Sequence, residues 1–103
     1  MFSEEVLKLM LSAIRVSVRA GEKMLAVYNS DFAVERKEDS SPLTLADQKS
    51  HETIVEELVK FNYPILSEEG KHIDFSERKD WKNYWIVDPL DGTKEFVKRN
   101  GEF

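Results

Sequence analysis

From Leu7 to Tyr28, apolar residues recur every three or four positions, at Leu7, Met10, Ile14, Val18, Leu25 and Tyr28, with Gly21 in the same register. This spacing predicts one long helix over residues 4–29 with a single apolar face. Ser3 stands where an N-cap belongs, and Glu4 and Glu5 fall in the first turn, where the helix dipole favours acids. Gly21 interrupts the stripe, which suggests the close approach of a packed neighbour. "FAVERKEDSSPL", residues 32–43, begins strand-like and becomes a polar loop ending at Pro42. Thr44 then caps a second helix over 45–61, with apolar positions Leu45, Ile54, Val55, Leu58, Val59 and Phe61. "YPILSEEG", residues 63–70, reads as a short buried strand ending in two glutamates, and "YWIVD", residues 84–88, as a second. The charged stretch "KHIDFSERKDWKN" joins them, with "SERKD" as a solvated loop and Trp81, Tyr84 and Trp85 as core and rim. "GTKEFVKRN" is rich in helix formers and opens a short helix at Thr93.

Two helices alternating with short strands imply an α/β layered sandwich, with both long helices on one side of a sheet. Two strands make only part of a sheet and leave its edges open. Residues 1–103 therefore read as part of a larger protein. The composition agrees with a folded chain: 41% of residues are hydrophobic and 34% charged. A net charge of −5 argues against nucleic acid as the main partner, because phosphate backbones call for a basic face. No apolar run approaches the length of a transmembrane segment. The stretch "MFSEEVLKLMLSAIRVSVRAGEKML" starts acidic and lacks a cleavage pattern, so no signal peptide is expected. Cysteine is absent, which excludes disulfides, thiolate metal sites and thiol catalysis. A cytoplasmic home follows as the expectation, with a peripheral position at the inner membrane kept beside it.

The chemistry concentrates in "WIVDPLDGTKEF", residues 85–96, where Asp88 and Asp91 stand three apart at the end of an apolar run. Pro89 and Gly92 punctuate turns, so a plain turn with two solvated carboxylates accounts for the segment taken alone. Glu68 and Glu69 also stand at the end of an apolar strand. If both strands run the same way in one sheet, their C-terminal ends meet, where ligand sites of such sheets lie. Carboxylates gathered there repel one another by roughly 4 kcal/mol per pair at about 4 Å and an effective dielectric near 20. Such a cluster needs cations, and all-oxygen ligands select hard ions such as Mg²⁺. Gly92 lets backbone approach a ligand, and Thr93 at a helix start offers N–H groups to phosphate. Asp47 has a strong structural explanation, because Thr44-Leu45-Ala46-Asp47 matches a capping box. His51 and His72 read as isolated surface or helix residues with no metal role.

Three blocks resemble the lithium-sensitive, magnesium-dependent phosphatase family that includes inositol monophosphatase. "SSPLTLAD" is similar to its Ser-Pro-x-Thr-x-x-Asp block, "ILSEEG" to its Glu-Glu block, and "WIVDPLDGTKEF" to its Asp-Pro-Leu/Ile-Asp-Gly-Thr signature. The ending "DGTKEFVKRNGEF" looks most like the bacterial 3'(2'),5'-bisphosphate nucleotidase branch; inositol monophosphatases usually carry Thr-Asn-Phe where Lys94-Glu95-Phe96 stands. The resemblance runs over nearly the whole chain but covers well under half of a full-length member. It implies that the continuation of the sheet and the C-terminal half are missing, with a further ligand aspartate among them.

The resemblance implies the following roles. Glu68 ligates a first metal and orients the attacking water, Asp88 bridges two metals, the Leu90 carbonyl joins the first, and Asp91 ligates the second. Gly92 and Thr93 present N–H groups to the phosphate, with Glu68, Leu90 and Asp91 around it. The Thr93 hydroxyl and Asp47 polarise the water, and Glu69 acts less directly. The implied cofactor is Mg²⁺, two or three ions per complete site. The implied reaction is hydrolysis of adenosine 3',5'-bisphosphate to AMP and phosphate, which clears a by-product of sulfate activation. Two alternatives remain: an inositol or other sugar monophosphatase, and an inactive truncated fragment that binds metal or self-associates. The 103-residue chain alone is expected to be inactive.

Overall fold

The computed structural model describes residues 3–32, 34–36 and 42–103. Helix α1 (Glu4–Tyr28) is capped by Ser3, whose side chain accepts from the Val6 N–H at 3.2 Å. Strands β1 (Val34–Arg36) and β2 (Pro42–Thr44) pair antiparallel, with Val34 opposite Thr44. The polar loop expected between them falls on residues 37–41, outside the described residues. Helix α2 (Leu45–Leu58) starts at the expected capping box. It tightens into a 3₁₀ turn at Val59–Phe61 and stops at Asn62, which adopts a left-handed conformation (φ 57°). Strand β3 (Ile65–Ser67), the single helical turn α3 (Phe75–Arg78), strand β4 (Trp85–Val87) and helix α4 (Thr93–Lys98) follow. Part of the "SERKD" stretch is thus helical, because Phe75–Arg78 closes a turn.

Strands β3 and β4 run parallel, with Ile65 opposite Trp85 and Ser67 opposite Val87. Both long helices pack against one face of this pair. Val16 from α1, Leu58 from α2 and Val87 from β4 form one buried cluster, with Ile54, Ile65 and Trp85 beside it. A second cluster joins Val27, Ala46, Leu90 and Phe96 and is flanked by Met24, Tyr28 and Phe32. It docks α4 and the turn before it onto the junction of the two helices. Phe96 is fully buried, with the rings of Tyr28, Phe32 and Phe103 centred 5.2, 5.1 and 4.9 Å away.

Three expectations need correction. The stripe Leu7, Met10, Ile14, Val18 and Leu25 is not the buried face of α1: these side chains are exposed, Ile14 and Val18 by 60% and 59%. The buried positions are Val16, Ala20 and Val27. Their smaller side chains let α2 approach closely, and a helix apolar on two sides does not reveal by spacing which side packs first. Among the described residues no neighbouring atom lies within 4 Å of where a side chain on Gly21 would begin, so none of them requires a glycine there. Neither strand is buried throughout: in β4 Ile86 is 71% exposed while Val87 is buried, as alternation along a one-sided sheet demands, and Ile65, Leu66 and Ser67 of β3 are all half-buried.

Candidate metal and phosphate site

The C-terminal ends of β3 and β4 lie side by side. The Glu68 N–H donates to the Val87 carbonyl at 3.1 Å, which extends the ladder one residue past β3 and sets Glu68 beside Asp88. The Gly70 N–H then closes a turn onto the Ser67 carbonyl at 3.1 Å. Glu68, Asp88 and Asp91 are all exposed, and Glu69 is half-buried. Leu90 between the aspartates is buried in the second cluster, which anchors the turn by its side chain. Gly92 has φ 81°, a left-handed conformation that favours glycine, and it starts α4. A side chain there would also begin 3.2 Å from the Phe103 Cα and 3.3 Å from a Glu95 carboxylate oxygen.

Asp47 is fully buried and serves two partners with its two oxygens. One oxygen, Oδ2, accepts from the Thr44 N–H at 3.0 Å and from the Thr44 hydroxyl at 2.7 Å, which completes the capping box. The other, Oδ1, accepts from the Thr93 hydroxyl at 3.2 Å, across 46 residues of sequence. The cap therefore leaves half of the carboxylate for the first residue of α4.

Ser50 and Ser67 join the site's support without standing among the expected site residues, and His51 is not isolated as expected. Ser50 is fully buried and donates its hydroxyl to the Pro89 carbonyl at 2.7 Å, pinning the turn that carries Asp88 and Asp91. The Nδ1 of His51 lies 2.7 Å from the Ser67 hydroxyl oxygen. The available signal was spacing: Asp47, Ser50 and His51 stand at i, i+3 and i+4 and share one face of α2. His72 is paired at the surface, its Nε2 3.2 Å from Asp74.

The candidate ligands are oxygen throughout, three carboxylates and a carbonyl, a set that suits a hard cation. Among the described residues no three Asp, Glu or His side chains gather closely enough to enclose an ion. The expected crowding of three carboxylates is thus not the arrangement found among the described residues. Mg²⁺ keeps several waters and takes one or two carboxylates, so neighbouring Glu68 and Asp88 still fit it. An open hollow of about 620 Å³ at the end of β3, lined by Lys71 and Arg78 among others, includes Glu68 but neither Asp88 nor Asp91. It borders the strand-end site rather than enclosing it.

The order of these parts, a capped aspartate on α2, a Glu-Glu strand end and an Asp-x-x-Asp-Gly-Thr turn into α4, matches a known family over residues 5–103, described as the inositol monophosphatase family. The chain belongs to the inositol monophosphatase family. It is 48% identical over 88 residues to the 3'(2'),5'-bisphosphate nucleotidase CysQ of Salmonella typhimurium, covering 82% of this chain and 35% of that protein. It is 40% identical over 97 residues to CysQ of Haemophilus influenzae, covering 92% of this chain and 36% of that protein. The crystal structure of CysQ from Bacteroides thetaiotaomicron, a bacterial member of the same family, superposes with a TM-score of 0.74 at 51% identity, over 90% of this chain and 34% of that one. The extragenic suppressor protein suhB from Bartonella henselae superposes at 0.75 with 29% identity, over 89% of this chain and 36% of that one. The chain thus spans about a third of the length of these family members. Among the described residues no helix is long and apolar enough to cross a membrane.

Proposed function

We propose that residues 1–103 form the N-terminal portion of a Mg²⁺-dependent phosphate monoesterase whose substrate is adenosine 3',5'-bisphosphate, released as AMP and phosphate. The observation that carries the reading is the ladder bond from Glu68 to Val87, which brings Glu68 and Asp88 to neighbouring strand ends. The likeness to CysQ nucleotidases at 40–48% identity supports the substrate class. Lys94-Glu95-Phe96 weighs against an inositol phosphatase.

In this reading Glu68, Asp88 and the Leu90 carbonyl would hold a first Mg²⁺, and Asp88 and Asp91 would contribute to a second. When bound, Mg²⁺ lowers the pKa of a coordinated water, neutralises phosphoryl oxygens and stabilises the leaving alkoxide. The chain's own residues do the rest. The Thr93 hydroxyl, its proton directed to Asp47, keeps its lone pairs for a water and draws that water's proton toward the pair. The Gly92 and Thr93 N–H groups orient the phosphate. Pro89 and Leu90, tied to Ser50 and to the second cluster, keep the two aspartates in register.

The reading is tested on the full-length protein by phosphate release from adenosine 3',5'-bisphosphate and from inositol phosphates, with Mg²⁺ titrated calorimetrically against wild type and Asp88→Asn. Preferred release from the bisphosphate, with Mg²⁺ affinity lost in the variant, is the expected result. Equal Mg²⁺ affinity in the two proteins removes Asp88 from the site, and preferred release from inositol phosphates replaces the substrate.

A further inference from the structure

We propose that His51 is a positioning residue for Glu68, acting through the hydroxyl of Ser67. The proposal rests on the reading of Glu68 as a metal ligand.

One face of α2 grips three residues that lie 16 to 46 positions away in sequence. Asp47 takes Thr93 at the start of α4, Ser50 takes the carbonyl of Pro89, and His51 takes Ser67 at the end of β3. Each partner is a candidate site residue or the immediate neighbour of one. Asp47 and Ser50 are fully buried, and His51 is half-buried.

Ser67 is paired with Val87, whose side chain is buried against the helices, so its hydroxyl meets the imidazole on that same side. Glu68 follows directly. Its N–H is held by Val87 on one flank, and the turn closed by Gly70 onto Ser67 holds the chain on the other. The imidazole lies under that turn, its Cε1 3.5 Å from where a side chain on Gly70 would begin. Removing the ring takes away both the partner of the Ser67 hydroxyl and the support beneath the turn. The Thr93 and Pro89 bonds, made by other side chains, persist. The loss therefore falls on Glu68 rather than on the Asp47–Thr93 pair.

Ligand supports of this kind commonly change metal affinity by about 10–100-fold when removed. The test uses the full-length protein, with Mg²⁺ binding measured by calorimetry and thermal unfolding measured alongside. His51→Leu fills the space without a polar atom, His51→Asn keeps a polar atom near the place of Nδ1, and Ser67→Ala removes the partner with little change of shape. His51→Leu and Ser67→Ala are each expected to weaken Mg²⁺ binding about tenfold, and His51→Asn to restore most of it. The double variant should bind no more weakly than either single one, because both remove the same contact. A fall in melting temperature with wild-type Mg²⁺ affinity in His51→Leu and Ser67→Ala overturns the proposal and leaves His51 a packing residue. Glu68→Gln separates the two readings. If it weakens Mg²⁺ binding while His51→Leu and Ser67→Ala do not, only the role of His51 falls. If Glu68→Gln also binds like wild type, Glu68 is not a ligand and both readings fall together.

Discussion

Asp47 offers the sharpest separation of structure from chemistry, because one carboxylate carries a cap on one oxygen and a candidate catalytic hydroxyl on the other. In Asp47→Asn the amide oxygen can keep the place of Oδ2 and accept both bonds from Thr44. The amide nitrogen then takes the place of Oδ1 and faces the Thr93 hydroxyl, which turns to accept instead of donating. Bonds to a charged group contribute about 1.5–3 kcal/mol and neutral ones about 0.5–1.5, so the exchange weakens each contact by roughly 1 kcal/mol. Relief from burying a charge offsets part of that loss, and the net destabilisation should be near 1 kcal/mol. Asp47→Ala instead leaves the buried Thr44 N–H without its partner. That adds about 1–3 kcal/mol to the loss of the cap, itself about 0.5–2 kcal/mol.

The catalytic consequence runs the other way. In Asp47→Asn the Thr93 hydroxyl points its proton toward the site and no carboxylate remains to draw protons from the water. Lost proton transfer of this kind costs about 10²–10⁴-fold in rate. The assay is kcat/KM for phosphate release by the full-length protein at saturating Mg²⁺, beside urea unfolding of the same variants. The expected pattern is an unfolding midpoint lowered only by that loss of about 1 kcal/mol, with activity down at least about a hundredfold in Asp47→Asn. Activity within about threefold of wild type, well short of that loss, would show that Asp47 only caps α2.

Two stability changes test the packing that holds the turn. Phe96→Ala removes a fully buried ring in contact with three others and should cost about 3–5 kcal/mol in urea unfolding; a loss below about 1 kcal/mol would mean that α4 is not anchored by this cluster. Gly92→Ala places a side chain at φ 81° and against Phe103, and should cost about 1–2 kcal/mol or more, visible as a lower melting temperature; an unchanged melting temperature would show that the turn does not require its left-handed residue.

Elements defined by local chemistry were legible in the sequence. Ser3 and Thr44 cap the helices they were expected to cap, and the two carboxylate-bearing segments follow strands as their apolar runs implied; that these strands pair in parallel, the condition for their ends to meet, is visible only in the fold. Faces were harder to assign. Residues 4–28 carry apolar side chains around much of the helix, so the three-four stripe through Leu7, Ile14 and Val18 is no better marked as a packing face than the side that holds Val16 and Ala20. The packed face instead uses Val16 and Ala20, small enough for α2 to come close. Size complementarity between two helices is a property of the pair and is not written in either pattern alone.

The same limit explains the miss on α2, and it bears on the site. The apolar positions picked out on that helix lie mostly in its second half, where Leu58 reaches the core. Its first half turns Ala46, Asp47 and Ser50 inward, and two of these three are polar. A helix that supports a site has reason to do this. The segments it must hold are turns and strand ends, whose free backbone and hydroxyl groups need hydrogen-bond partners when buried. Apolar side chains would pack against Pro89, Thr93 and Ser67 without fixing their orientation, whereas Asp47, Ser50 and His51 set each of them with one directional bond. A hydropathy pattern counts such residues as solvent-facing because it ranks positions by apolarity. On a site-bearing helix, polar residues at i, i+3 and i+4 following a capping box can therefore mark an inward face.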